Sequence, residues 1–142
     1  GQALVVEMGA EPVVVAEEAR PLYHAALAHG ANHLVTLVAQ ALDVLRAAGV
    51  ANPDRVLAPL LSAALDNALR SGDAALTGPV VRGDAGTVAA HLESLAGSGV
   101  DGAVPAYRAL ARVTADRALG SGQLKAEQAD ALLAALADQN AG

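Results

Sequence analysis

Residues 17–48, EEARPLYHAALAHGANHLVTLVAQALDVLRAA, decide the fold class. Leu27, Leu34, Val35, Leu37, Val38, Leu42, Val44 and Leu45 recur around most of a 3.6-residue repeat. His29, His33, Thr36, Gln40 and Asp43 form one polar stripe at steps of three and four. This spacing predicts one long helix from about Glu17 to Ala48, with Pro21 tolerated in its first turn and Gly49 closing it. A helix that is apolar on most sides is expected to be surrounded by other helices, which makes it the central element of a bundle.

Downstream the same period continues. Asn52 is placed to cap a second helix, with Pro53 at its first position and a stripe of Leu57, Leu60, Leu61, Leu65 and Leu69 ending near Gly72. Asp84 is a good N-cap for a third helix, which puts Val88, Leu92 and Leu95 on one face and ends at Gly97-Ser98-Gly99. A fourth helix is expected from near Pro105 to Leu119, and a fifth from about Ala126 to Asp138 with Leu132, Leu133 and Leu136 as its stripe. Lys125 stands where a Ser or Asp cap is usual. The fold class is therefore all-α, a bundle of about five helices.

Upstream the reading changes. Ala3 to Met8 look like the last turns of a helix, Gly9 like its left-handed cap, and Glu11 to Ala16 like a strand built on Val13-Val14-Val15. A lone strand leaves its backbone donors and acceptors unsatisfied. The chain also opens on Gly1-Gln2 without a methionine. Residues 1–16 are accordingly expected to be the tail of an upstream α/β domain, or an arm that joins a neighbouring subunit.

Composition narrows the function classes. A chain of 142 residues suffices for one compact core. Hydrophobic residues make up 54% and the only aromatics are Tyr23 and Tyr107, so Leu, Val and Ala must fill that core. A formal charge of −6 opposes association with a polyphosphate, which argues against a nucleic-acid partner. No apolar run approaches the roughly 20 residues needed to span a bilayer, no signal segment opens the chain, and cysteine is absent. These features predict a soluble, cytoplasmic-type protein.

Chemistry-bearing residues are few. Thr77-Gly78-Pro79 forms a stiff corner, because Gly78 accepts backbone angles closed to other residues and Pro79 fixes its own φ. Thr77 is then a positioned hydroxyl, able to donate to a substrate carboxylate. Arg82 can pair with an anion near the third helix's N-terminus, although Asp84 as a cap competes for the same backbone donors. On the long helix His24 and Asn32 stand eight residues apart, close to one face and two turns from each other. His29 and His33 have the i, i+4 spacing of a helical metal pair, but no third ligand is evident, so no metal is assigned and an ordinary interior or interface histidine is the default for each. His91, beside the apolar face of the third helix, is read as packing. No P-loop, nucleophile elbow or acid–base carboxylate pair is present.

Three segments together resemble the helical C-terminal domain, of unknown function, in a bacterial group of Rossmann-like oxidoreductases. They are Leu22-Tyr23-His24-Ala25-Ala26 with Ala31-Asn32-His33-Leu34, then Ala75 to Asp84 with Thr87-Val88 and His91-Leu92, then Tyr107-Arg108-Ala109-Leu110-Ala111. That group resembles pyrroline-5-carboxylate reductase, ketopantoate reductase and the β-hydroxyacid dehydrogenases, whose helical domain is like that of 6-phosphogluconate dehydrogenase. The resemblance implies a homodimer. It implies that residues 17–142 are a dimerisation and substrate-binding domain, and that residues 1–16 are the last helix and strand of a nucleotide-binding domain holding NADP or NAD. Thr77-Gly78-Pro79 looks like the counterpart of a Ser/Thr-Pro-Gly loop that contacts the substrate carboxylate, with Gly and Pro in the opposite order. Asn32 corresponds to an Asn near a catalytic Lys that this chain lacks, leaving His24 as the proton-donor candidate. The expected substrate is a small carboxylate, keto or imine compound. The alternative is a helical dimerisation or scaffold module without chemistry.

Overall fold

The computed structural model of the protein describes residues 3–8 and 11–137. Helix dominates, as the apolar periodicity predicts. The elements are strands β1 (Ala3–Met8) and β2 (Glu11–Ala16), a 3₁₀ turn Glu17–Ala19, helix α1 (Arg20–Leu27), a π-helical turn Ala28–Asn32, and helices α2 (His33–Ala47), α3 (Pro53–Ser71), α4 (Ala85–Ala96), α5 (Ala103–Gly120) and α6 (Ala126–Leu136). Taken with the π turn between them, α1 and α2 make one continuous helical rod, so the described residues contain five rods.

The chain divides into two compact units, Gly1–Ala41 and Leu42–Gly142. In the first unit β1 and β2 pair antiparallel, with Val5 opposite Val14 and Val6 opposite Val13. This corrects the expected N-terminal helix end. Ala3–Met8 is a strand, and it supplies the backbone partner that Glu11–Ala16 was expected to lack. Two β-branched runs stabilise each other across a ladder better than either could as an isolated turn of helix.

The long rod also departs from its reading in one respect. Its helical span holds, but none of the residues of α1 or α2 is buried. Leu22 is 75% and Val35 69% exposed, so within a single chain this rod is not enclosed on its apolar sides.

In the second unit the core is made by α4, α5, α6 and the loop before α4. Val88, Ala115, Ala118, Leu132 and Leu136 are completely shielded, with Val80, Val81, Leu92 and Leu124 packed around them. Alanine on α5 at i, i+4 and i+7 (Ala111, Ala115, Ala118) lets its neighbours approach closely. Arg112 Nη2 donates to the Leu136 carbonyl at 2.9 Å, satisfying one of the free acceptors at the end of α6. Arg117 Nη1 reaches Asp73 Oδ1 at 3.1 Å and Gln123 Nε2 the Asp73 carbonyl at 2.8 Å, which ties the turn after α3 to the end of α5.

Asp84 caps α4, accepting from the Thr87 N–H at 3.1 Å. Asn52 occupies the cap position of α3 but makes no side-chain cap bond. The start of α6 works in reverse of the usual order: Lys125 offers no acceptor, and instead the Gln128 side chain takes the Lys125 N–H at 3.2 Å. Helix α3 buries only Pro53, while Leu60, Leu65 and Leu69 are 63%, 50% and 80% exposed. Leu57 and Leu61 of its stripe are half-buried, and the other three leucines are left largely in solvent.

Candidate functional site

In the second unit the corner is built from the core outward. Val80 and Val81 are each 8% exposed, so the segment after Pro79 is nailed into the apolar cluster. The backbone closes on itself over them, with Arg82 N–H on the Gly78 carbonyl at 3.2 Å and Asp84 N–H on the Pro79 carbonyl at 2.9 Å. Gly78 has a φ of +103°, more specialised than the extended geometry that a following proline favours, and it makes glycine a requirement there. Thr77 projects from this fixed corner, exposed, and its hydroxyl has no hydrogen-bond partner among the described residues. The sequence reading of Thr77, Gly78 and Pro79 as a stiff polar corner therefore matches the geometry.

Arg82 is exposed and lies close enough to Asp84 to help hold that carboxyl below its ordinary value. The larger causes are the Thr87 hydroxyl, which donates to Asp84 Oδ2 at 2.7 Å, and the Thr87 backbone N–H. The N-terminus of α4 thus already carries a carboxylate, and Arg82 is partly neutralised by it. An anion held by Arg82 would compete with Asp84.

Further along the same face of α4, His91 Nδ1 and the Tyr107 hydroxyl lie 3.0 Å apart, with the rings edge to face. Burial raises the Tyr107 phenol above its usual value. His91 also contributes to lowering the Asp84 carboxyl. Sequence reasoning took His91 for a packing residue, whereas it is exposed and bonded. Asp84, Thr87 and His91 stand at i, i+3 and i+7, and that polar stripe was the available signal.

A cleft of about 390 Å³ lies between α4, α5 and α6, with Glu93 and Arg108 as its charged lining among Ala, Leu and Val. None of the residues predicted for the site lines it.

In the first unit His24 is exposed on α1, its ring 5.8 Å from that of Tyr23. The Tyr23 hydroxyl is shut off from solvent without a partner among the described residues. Asn32 is exposed at the end of the π turn. Eight residues of plain α-helix would leave His24 and Asn32 roughly 80° apart around the axis. The wider π turn, closed by the His33 N–H on the Ala28 carbonyl, takes fewer degrees per residue and reduces that offset. His29 within the turn and His33 just after it have their Nδ1 atoms 3.0 Å apart. His24 and Asn32 belong to the first unit, and Thr77, Gly78, Pro79 and Arg82 to the second.

Residues 1–114 match the model of the DUF2520 family, a domain of unknown function. The chain belongs to that family. No curated protein and no solved structure matches it. All six residues predicted for the site fall inside the stretch shared with DUF2520. The match ends within α5, yet Leu124, Leu132 and Leu136 beyond it close the core, so the folded unit of this DUF2520 chain reaches past the matched residues.

Two chemical tests follow from the geometry. A dinucleotide needs a glycine-rich turn from a strand onto a helix N-terminus. Here the Gly-x-Gly-x-x-Gly run Gly97–Gly102 joins α4 to α5, helix to helix, and β2 runs into the Glu17–Ala19 turn, whose first two residues are carboxylates that repel a pyrophosphate. Among the described residues no strand enters a helix through a glycine-rich turn. No group of three or more His, Cys, Asp or Glu positioned for a metal occurs among them. No helix of the described residues is long and apolar enough to cross a membrane.

Proposed function

We propose that this DUF2520 chain is the dimerisation and substrate-side domain of an NAD(P)-dependent reductase or dehydrogenase. Its substrate is a small carboxylate, keto or imine compound, and the cofactor is held by a nucleotide domain outside residues 17–142. The observation that carries the reading is the Thr77 hydroxyl, unpartnered on a corner that buried Val80 and Val81 hold rigid. A donor fixed in place before the substrate arrives loses little entropy when it binds a carboxylate. The resemblance carried by the Leu-Thr-Gly-Pro and Arg-Gly-Asp segments supports the same reading.

In this reading Thr77 donates to the substrate carboxylate, Gly78 and Pro79 set the corner, and Arg82 adds long-range attraction for the anion. In the first unit, taken by itself, Asn32 is the candidate for orienting a carbonyl or imine and His24 the proton-donor candidate. The test is NADPH or NADH oxidation by the intact protein against a panel of small keto acids and cyclic imines. Thr77→Ala should raise KM by about tenfold, the size of one lost hydrogen bond to a charged group. His24→Ala should lower kcat by roughly 10²-fold, the usual share of a general acid. Unchanged turnover in both variants would remove those residues from the site.

The exposed apolar faces of α1, α2 and α3 favour a second reading, a helical dimerisation or scaffold module without chemistry. The absence of turnover with every substrate and cofactor pair, in a protein that still self-associates, would select it.

A further inference from the structure

We propose that His29 and His33 form a bidentate site for a late first-row divalent cation, with Cu²⁺ or Ni²⁺ as the best geometric fit. The two Nδ1 atoms converge to 3.0 Å. An ion about 2.05 Å from each nitrogen would see them at an angle of roughly 94°, since half of that separation subtends about 47°. This is close to the right angle between neighbouring ligands in a tetragonal or octahedral shell, and well short of the roughly 109° of tetrahedral zinc. The rings are turned at 89° to one another, edge to face.

Two further features suit an ion. Both histidines are exposed, so the ion can reach them and water can fill its remaining positions. Between Arg20 and Asp43 the sequence carries no Lys or Arg, so no cation on the same stretch repels it. His29 is part of the π turn Ala28–Asn32 and His33 follows it directly, and π turns inserted in α-helices concentrate at functional positions. Binding would clamp that turn and fix the orientation of Asn32 at its end. Without an ion, the pair can hold its 3.0 Å separation only when one Nδ1 donates and the other accepts.

The experiment is a Cu²⁺ titration of the untagged protein followed by electron paramagnetic resonance and by visible absorption. One equivalent should bind with hyperfine coupling to two imidazole nitrogens. His29→Ala and His33→Ala should each weaken binding by at least about tenfold, as losing a direct ligand costs no less than losing an outer-shell partner. His91→Ala should bind as the parent does. Because both residues are exposed and alanine favours helix, each variant should keep the parent far-ultraviolet circular dichroism. Should either variant misfold, the nitrogen count on the unaltered protein decides alone. Coupling to no imidazole, coupling to three or four nitrogens, or unchanged affinity in both histidine variants would overturn the proposal.

Discussion

At the scale of single residues, glycine positions separate sharply by what surrounds them. Gly83 has a φ of +70°, and a Cβ built there falls 2.7 Å from the Gln128 Cβ. Gln128 is the residue whose side chain receives the Lys125 N–H, so a side chain at 83 pushes directly on the start of α6. Gly83→Ala should destabilise the protein by about 2 kcal/mol, combining backbone strain with overpacking. Gly30, in the π turn, has neither a positive φ nor any atom within 4 Å of an added Cβ. Gly30→Ala should stabilise by roughly 0.5–1 kcal/mol through helix propensity alone. Paired urea titrations check both signs, and equal midpoints for the two variants would contradict this account. The turn character of Gly78 was legible in the sequence. The approach of Gln128 to Gly83 was not, because it joins residues 45 positions apart through the packing of α6.

At the scale of elements, local chemistry predicted Asp84 correctly and Asn52 only by position. Both residue types suit an N-cap, but only Asp84 accepts a helix N–H with its side chain. The difference has a pH signature. Because the Asp84 carboxyl is lowered from its ordinary value of 3.8, the stability it lends is complete above that value and is lost as pH falls through the lowered one. Asp84→Asn should therefore flatten the stability profile below about pH 4 and leave its shape near neutrality unchanged. Asn52→Ala should leave the profile as it is. Denaturant midpoints between about pH 2 and 6 measure this, and an unchanged acid limb in Asp84→Asn would refute the assignment. The strand at Ala3–Met8 was legible in hindsight. Two six-residue runs rich in valine, separated by the two residues Gly9-Ala10, form the ordinary spacing of a hairpin. Reading Val13-Val14-Val15 alone hid its partner. The π turn left no comparable trace, since an inserted residue disturbs apolar periodicity less than the choice of neighbours does.

At the scale of the molecule, the apolar pattern divides into what the chain covers and what it leaves open. The stripes of α4 and α6 were read correctly as core for Val88, Leu92, Leu132 and Leu136, while Leu133 is 42% exposed. The stripes of α2 and α3 were equally regular in the sequence and are covered only in part, because periodicity specifies an apolar face without saying whose surface meets it. Val35, Leu60 and Leu69, at 69%, 63% and 80% exposure, are large side chains left in water. Burying one such side chain is worth roughly 1.5–3 kcal/mol, so a second copy covering several of them would offset the entropy lost on association. The homodimer proposed with the reductase reading therefore predicts a concentration-dependent mass in sedimentation equilibrium. Val35→Glu and Leu60→Glu should each weaken the dimer by about tenfold or more, since each buries a charge where an apolar group had been. Both positions lie outside the Val88–Leu136 cluster, so the melting of that core in the separated chains should stay close to the parent's. A chain that remains monomeric at all concentrations would refute self-association and require another occupant for these faces. Dissociation accompanied by loss of the core's cooperative melting would instead show that the apolar faces serve folding of the single chain.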